Sequence, residues 1–271
     1  MLEGFRETRF SHDGKERSVY RRGRGPGVLV IHEIPGITPE VAAFARSVAD
    51  AGFDVALPVL FGTPGRPFSA AYVAGQMIRA CVSREFAVLA AHRSSPITDW
   101  LRALCRALHA EAGGPGVGAI GMCLTGNFAL ALMLDPSLLA PVLSQPSLPF
   151  PLGRERRAAL HVSPAELAEL KRRVREEGAC VLGLRFSADP AVPPERFASL
   201  RRELGPGFEA IEIDSSPGNP WGIPRTAHSV LTKDLVDAEG HPTRAARDRV
   251  LTFLAERLRG ASQPQRPPPG S

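Results

Sequence analysis

The sequence predicts an α/β fold in which a mostly parallel central sheet is covered by helices on both faces. Three observations predict it. Short apolar runs alternate with amphipathic helical patterns along the chain, the arrangement of βαβ units. The run Gly27-Val28-Leu29-Val30-Ile31-His32 is apolar almost throughout, as a strand covered on both sides must be. A chain of 271 residues with 44% hydrophobic content is long and apolar enough for one such domain with a full core.

Residues 5–10 and 17–22 read as two strands around Asp13-Gly14, a hairpin-type turn. The buried strand at 27–32 follows. Pro39-Glu40 opens a helix that runs to about Ala51, and Gly52 closes it. Residues 53–57 form a short strand halted by Pro58. The connection over 58–70 contains Gly62, Pro64, Gly65 and Pro67, and its length marks a functional loop or lid. Helical patterns fill 71–93, in one piece or two, and 96–112. A strand at 117–121 leads into a helix over 124–134, and 139–143 is strand-like again. Residues 164–177 form an amphipathic helix with Ser163 as N-cap. A strand at 180–186, a helix at 194–204, a strand at 208–213 and a helix at 243–258 complete one domain over 1–260. The tail 261–271, with Pro264 and Pro267-Pro268-Pro269, reads as disordered.

The net charge of +5 and pI of about 9.4 come from arginines scattered among acids; only Lys15, Lys171 and Lys233 are lysines. Nucleic-acid binders concentrate their basic residues in a stripe within a recognisable module, so no nucleic-acid partner is expected. An anionic substrate is compatible with the same charge. No apolar run approaches the ~18–20 residues of a spanning helix, and no charged-then-apolar leader is visible. A cytoplasmic protein without a membrane partner, monomeric or homodimeric, is the expectation. Cys81, Cys105, Cys123 and Cys180 form no C-x-x-C pair, and no His cluster stands at zinc-ligand spacing, so no metal is expected.

Ligands of parallel sheets bind outside the carboxyl ends of the strands, so chemistry is sought just after each strand. Cys123 stands there in Gly121-Met122-Cys123-Leu124-Thr125-Gly126, between a strand and a helix. A nucleophile elbow needs small residues around such a turn. Gly121 fits that need, whereas Thr125 is larger than the usual glycine. A helix start favours the thiolate, the reactive form, and the Leu124 N–H is placed to receive an oxyanion. Asp189 follows the 180–186 strand, and His228 lies in the loop before the last helix. Nucleophile, acid and histidine thus occur in the chain order of α/β-hydrolases. His228 would take the thiol proton and Asp189 would orient its ring, with Asp214 as reserve acid. His32-Glu33-Ile34-Pro35-Gly36 follows the first buried strand, where these folds place the second oxyanion N–H, here that of Ile34. Glu33 would point into the site, and His32 reads as structural.

These stretches resemble the dienelactone hydrolase family: VLVIHEIPG at 28–36, GFDVALP at 52–58, GAIGMCLTG at 118–126, ADPAVP at 188–193 and AHS at 227–229. The resemblance implies an α/β-hydrolase fold and hydrolysis of a small ester or lactone substrate without a cofactor. It implies a Cys123–His228–Asp189 triad and a Glu33 that contacts the thiol and helps to deprotonate it. The family's enol-lactone enzymes hold a substrate carboxylate with arginines, one of them shortly after the catalytic histidine. Here that stretch reads Ser229-Val230-Leu231-Thr232-Lys233, so Arg79, Arg84 and Ser229 are the substrate-binding candidates. Two rivals are a non-catalytic scaffold that binds a ligand or protein, and an acyltransferase on the same fold.

Overall fold

The computed structural model describes residues 2–82, 96–147 and 153–260, the side chains of 78–82 excepted. The elements in chain order are β1 (Arg6–His12), β2 (Lys15–Arg22), β3 (Gly27–Ile31), α1 (Pro39–Asp50), β4 (Asp54–Pro58), α2 (Ala70–Val82), α3 (Pro96–Ala112), β5 (Val117–Met122), a 3₁₀ turn (Cys123–Thr125), α4 (Gly126–Leu132), β6 (Leu138–Ser144), α5 (Arg154–Ala158), α6 (Pro164–Glu177), β7 (Val181–Phe186), α7 (Pro194–Leu204), a second 3₁₀ turn (Gly205–Gly207), β8 (Phe208–Ile213) and α8 (Pro242–Leu258).

The eight strands form one sheet in the order β1-β2-β4-β3-β5-β6-β7-β8. β1, β2 and β4 pair antiparallel; every pairing from β4 through β3 to β8 is parallel. The carboxyl ends of β3 to β8 therefore share one edge. Side chains alternate across a strand, and β3 shows what this demands. Val28 and Val30 join Phe44 and Val48 of α1 and Phe253 and Leu254 of α8 on one face. Leu29 and Ile31 join Trp100 and Leu104 of α3 and Phe128 of α4 on the other. Both faces are covered, so no position of β3 can be polar, which is why its sequence is an unbroken apolar run.

Helix starts follow the local chemistry. Thr38 accepts from the Val41 N–H at 3.3 Å with Pro39 at the first helical position. Ser163 and Glu166 form a reciprocal capping box at α6. Three expectations shift. Pro58 does not halt β4 but ends it, opposite Val19, where a strand terminus tolerates the missing donor. The helix expected over 124–134 begins as the 3₁₀ turn and continues as α4. The short α5 carries no buried residue and no apolar stripe, so it left no periodic signal. Of the helix expected over 71–93, α2 is described to Val82; the remainder, like the tail 261–271, lies outside the described residues. No helix among the described residues is long and apolar enough to cross a membrane.

Candidate active site

Cys123 ends the ascent of β5 and turns the chain into α4 with φ at +56°, a left-handed conformation that costs a non-glycine residue energy. The turn is tight enough to dictate its neighbours. A Cβ on Gly121 would lie 2.3 Å from the Thr125 carbonyl oxygen, and one on Gly126 would lie 2.8 Å from the Pro146 Cα. Close approach therefore falls on Gly126 rather than on position 125, which leaves room for Thr125. That residue is fully buried and its hydroxyl oxygen accepts from the Met122 N–H at 3.0 Å. Its single proton faces the carbonyls of Ile31, His32 and Met122 at 2.8 to 3.2 Å, tying the elbow to the end of β3.

His228 and Asp189 meet across the sheet edge, with Nδ1 2.6 Å from the Asp189 Oδ2. Asp189 is nearly fully buried, and its other oxygen accepts from the Ala191 N–H at 2.9 Å. Burial works against the His228 imidazolium, but Cys123 and Asp189 outweigh it, and the ring holds its proton well above the usual histidine range. Nδ1 is taken by Asp189, so Nε2 is the nitrogen left for the hydrogen bond with Cys123. The loop is braced from below: one Asp234 oxygen accepts from the N–H groups of both His228 and Ser229 at 2.8 Å. Asp214, the reserve acid, is exposed and bonds Ser187 and the Ser216 N–H instead.

Glu33 differs from the expectation. Its carboxylate does not meet the thiol: it accepts from the Ser229 hydroxyl at 2.8 Å, the Gln145 amide at 3.1 Å and the Thr232 hydroxyl. A buried carboxylate needs donors, and the loop after His228 supplies two of them. Glu33 thus joins the ends of β3 and β6 to the His228 loop, and Ser229 serves that junction. His32 is structural. Its Nε2 accepts from the Leu60 N–H and its Nδ1 faces the Glu33 carbonyl, which requires a neutral ring; burial pushes its pKa down to about 4.

The thiol itself lies against a residue the sequence reading passed over. Ser147 Oγ is 3.1 Å from Cys123 Sγ. Ser147 is buried, its N–H donates to the Cys123 carbonyl at 3.1 Å, and its own carbonyl accepts from Asn127 Nδ2 at 3.0 Å. Asn127 also donates to the Leu124 carbonyl and accepts from the fully buried Arg196 of α7. Arg196 has no carboxylate partner among the described residues, and burial pushes it down to about 9. Ser147 stands three residues beyond β6, as Asp189 does beyond β7, and that position is the signal for it; nothing in a helix sequence distinguishes Arg196 from a surface arginine.

These groups open on a cavity of about 620 Å³. Cys123, Ser147, Asp189 and His228 line it, and Ile34, Leu124, Phe68, Val73 and Met77 add apolar lining. Phe68 and Met77 are 43% and 45% exposed, on or after the long loop expected to be functional. The Ile34 N–H donates to no backbone acceptor among the described residues, and the Leu124 N–H belongs to the first turn of the elbow. Arg225 and Lys233, both exposed, also line it. Arg84 lies outside the described residues, and Arg79 falls on α2 where side chains are not described. Cys105 is fully buried, which pushes its thiol up to about 12. Cys105, Cys123 and Cys180 are free thiols. Among the described residues no group of three or more His, Cys, Asp or Glu could hold a metal ion.

Comparison with known proteins agrees with this architecture. The sequence profile of the dienelactone hydrolase family matches residues 16–147. Among solved structures, a Klebsiella pneumoniae protein assigned as a dienelactone hydrolase superimposes with a TM-score of 0.63 at 18% identity, covering 93% of this chain and 98% of its own. A dienelactone hydrolase-like promiscuous phosphotriesterase from metagenomic libraries gives 0.62 at 19% identity over 94% and 98%. The dienelactone hydrolase of Anabaena variabilis gives 0.52 at 16% identity over 94% and 100%. At these identities the likeness establishes the fold. No curated protein matches the chain in sequence. Residues 16–147 thus match the dienelactone hydrolase family profile, and the chain as a whole has an α/β-hydrolase fold.

Proposed function

We propose that this chain is a hydrolase of carboxylic ester or lactone bonds, with Cys123 as nucleophile, His228 as general base and acid, and Asp189 as the group that orients the imidazole. One observation carries the reading: a positive-φ cysteine and a 2.6 Å His228–Asp189 pair face the same cavity. The family match over residues 16–147 supports the reaction class.

In the first half-reaction Cys123 Sγ, its proton already held on His228 Nε2, adds as the thiolate to the substrate carbonyl carbon. The Leu124 and Ile34 N–H groups receive the oxyanion. Collapse expels the alkoxide, which takes the proton from His228, and a thioester remains on Cys123. His228 then removes a proton from water, the hydroxide adds to the thioester, and the thiolate leaves as the acid is released. The apolar lining accommodates the body of the substrate, and the exposed Arg225 and Lys233 are compatible with an anionic group.

The test is turnover of short-chain aryl esters and small lactones, each with and without a carboxylate, by wild type and Cys123→Ala. Loss of the nucleophile should lower the rate roughly 10³-fold or more. Equal rates would overturn the assignment and favour the non-catalytic scaffold. Added alcohols or amines, if they divert the acyl group from water, would identify an acyltransferase.

A further inference from the structure

We propose that Ser147 is a catalytic residue whose hydroxyl donates a hydrogen bond to the Cys123 thiolate, on a backbone anchored through Asn127 to Arg196. The proposal rests on Cys123 being the nucleophile and adds a second donor beside His228. Ser147 Oγ stands 3.1 Å from Cys123 Sγ, and the sulfur is its one hydrogen-bond partner among the described residues. Its backbone is pinned at both polar groups, which keeps the residue beside the sulfur. Its N–H is fixed on the Cys123 carbonyl, and its carbonyl is fixed on Asn127 Nδ2. Asn127 is in turn gripped through its Oδ1 by Arg196, a buried cation anchored also on the Ala159 carbonyl.

A thiol and a hydroxyl can each donate to the other, so the neutral pair has no set direction. Once the sulfur has lost its proton, only the hydroxyl can donate. The contact is then charge-assisted and stronger than in the neutral state. Ser147 therefore stabilises the thiolate over the neutral thiol. The same applies at the end of each turnover, when the thiolate departs from the tetrahedral intermediate.

The experiment is the pH dependence of Cys123 alkylation by iodoacetamide, followed site by site by mass spectrometry in wild type, Ser147→Ala, Ser147→Thr and Ser147→Val. Removal of the hydroxyl should move the midpoint up by about one pH unit, roughly tenfold in rate on the acidic limb, with the alkaline plateau unchanged. Threonine should stay near wild type. Valine, which has the shape of threonine without the hydroxyl, should behave as alanine does and serves if the alanine variant does not fold. Superimposable profiles for threonine and valine would overturn the role of Ser147. So would a downward shift on loss of the hydroxyl, which would mean that Ser147 favours the neutral thiol. Wild-type Cys123 labelling no faster than Cys105 or Cys180 would instead sink the nucleophile assignment itself.

Discussion

Thr125 occupies the position where an elbow ordinarily needs glycine, and its hydroxyl makes use of the space. It satisfies the Met122 N–H and reaches the carbonyls at the end of β3. Thr125→Val keeps the shape and removes both functions, leaving a buried N–H without its acceptor. The expected cost is about 1–3 kcal/mol, read as a lower urea midpoint at unchanged slope; an unaltered midpoint would show that the hydroxyl is idle. The placement of Cys123, Asp189 and His228 at one sheet edge was legible because strand ends and chain order are properties of sequence. Thr125 was legible only as a deviation. The spare volume at 125 arises from the way Gly126 passes Pro146, a long-range contact that no local pattern encodes.

At the level of elements, the loops after β3, β6 and β8 converge on one carboxylate. Glu33 accepts from Ser229, Thr232 and Gln145, so its first effect is to fix the loop that carries His228. Glu33→Gln preserves shape, and the hydroxyls of Ser229 and Thr232 can rotate to suit it; turnover should stay within about tenfold of wild type. Glu33→Leu strands three buried donors and should lower both Tm and kcat. Steady-state kinetics with melting curves for the two variants decide this: a glutamine variant as inactive as the leucine one would restore a proton-transfer role. The sequence located Glu33 correctly at the end of β3. It could not give the partners, because Gln145 and Ser229 lie 112 and 196 residues away.

For the molecule as a whole, the mostly parallel sheet, both helical layers and the site edge followed from alternation and an unbroken apolar β3, whereas the strand order came only with the structure. The brace from Arg196 did not, since a buried arginine looks like any other until the helix is packed. The His228 environment gives a global prediction. The folded ring binds its proton more tightly than the unfolded chain does, because Cys123 and Asp189 outweigh burial. Its contribution to stability is therefore complete below the ordinary value of 6.5 and is lost as pH rises through the raised folded value. Wild-type Tm should fall relative to that of His228→Asn as pH is raised from about 6 to about 10; parallel curves would contradict the linkage. The spacing of Cys123, Asp189 and His228 along the chain also has a meaning in time. Contacts that bridge large separations wait for the chain between them. A nascent chain that has emerged as far as Ser147 carries the elbow, the cysteine and its hydroxyl neighbour, yet neither Asp189 nor His228 has been made. The Cys123 codon precedes that of His228 by more than a hundred, so every molecule passes through a stage in which the thiol exists and the imidazole and carboxylate it will face do not.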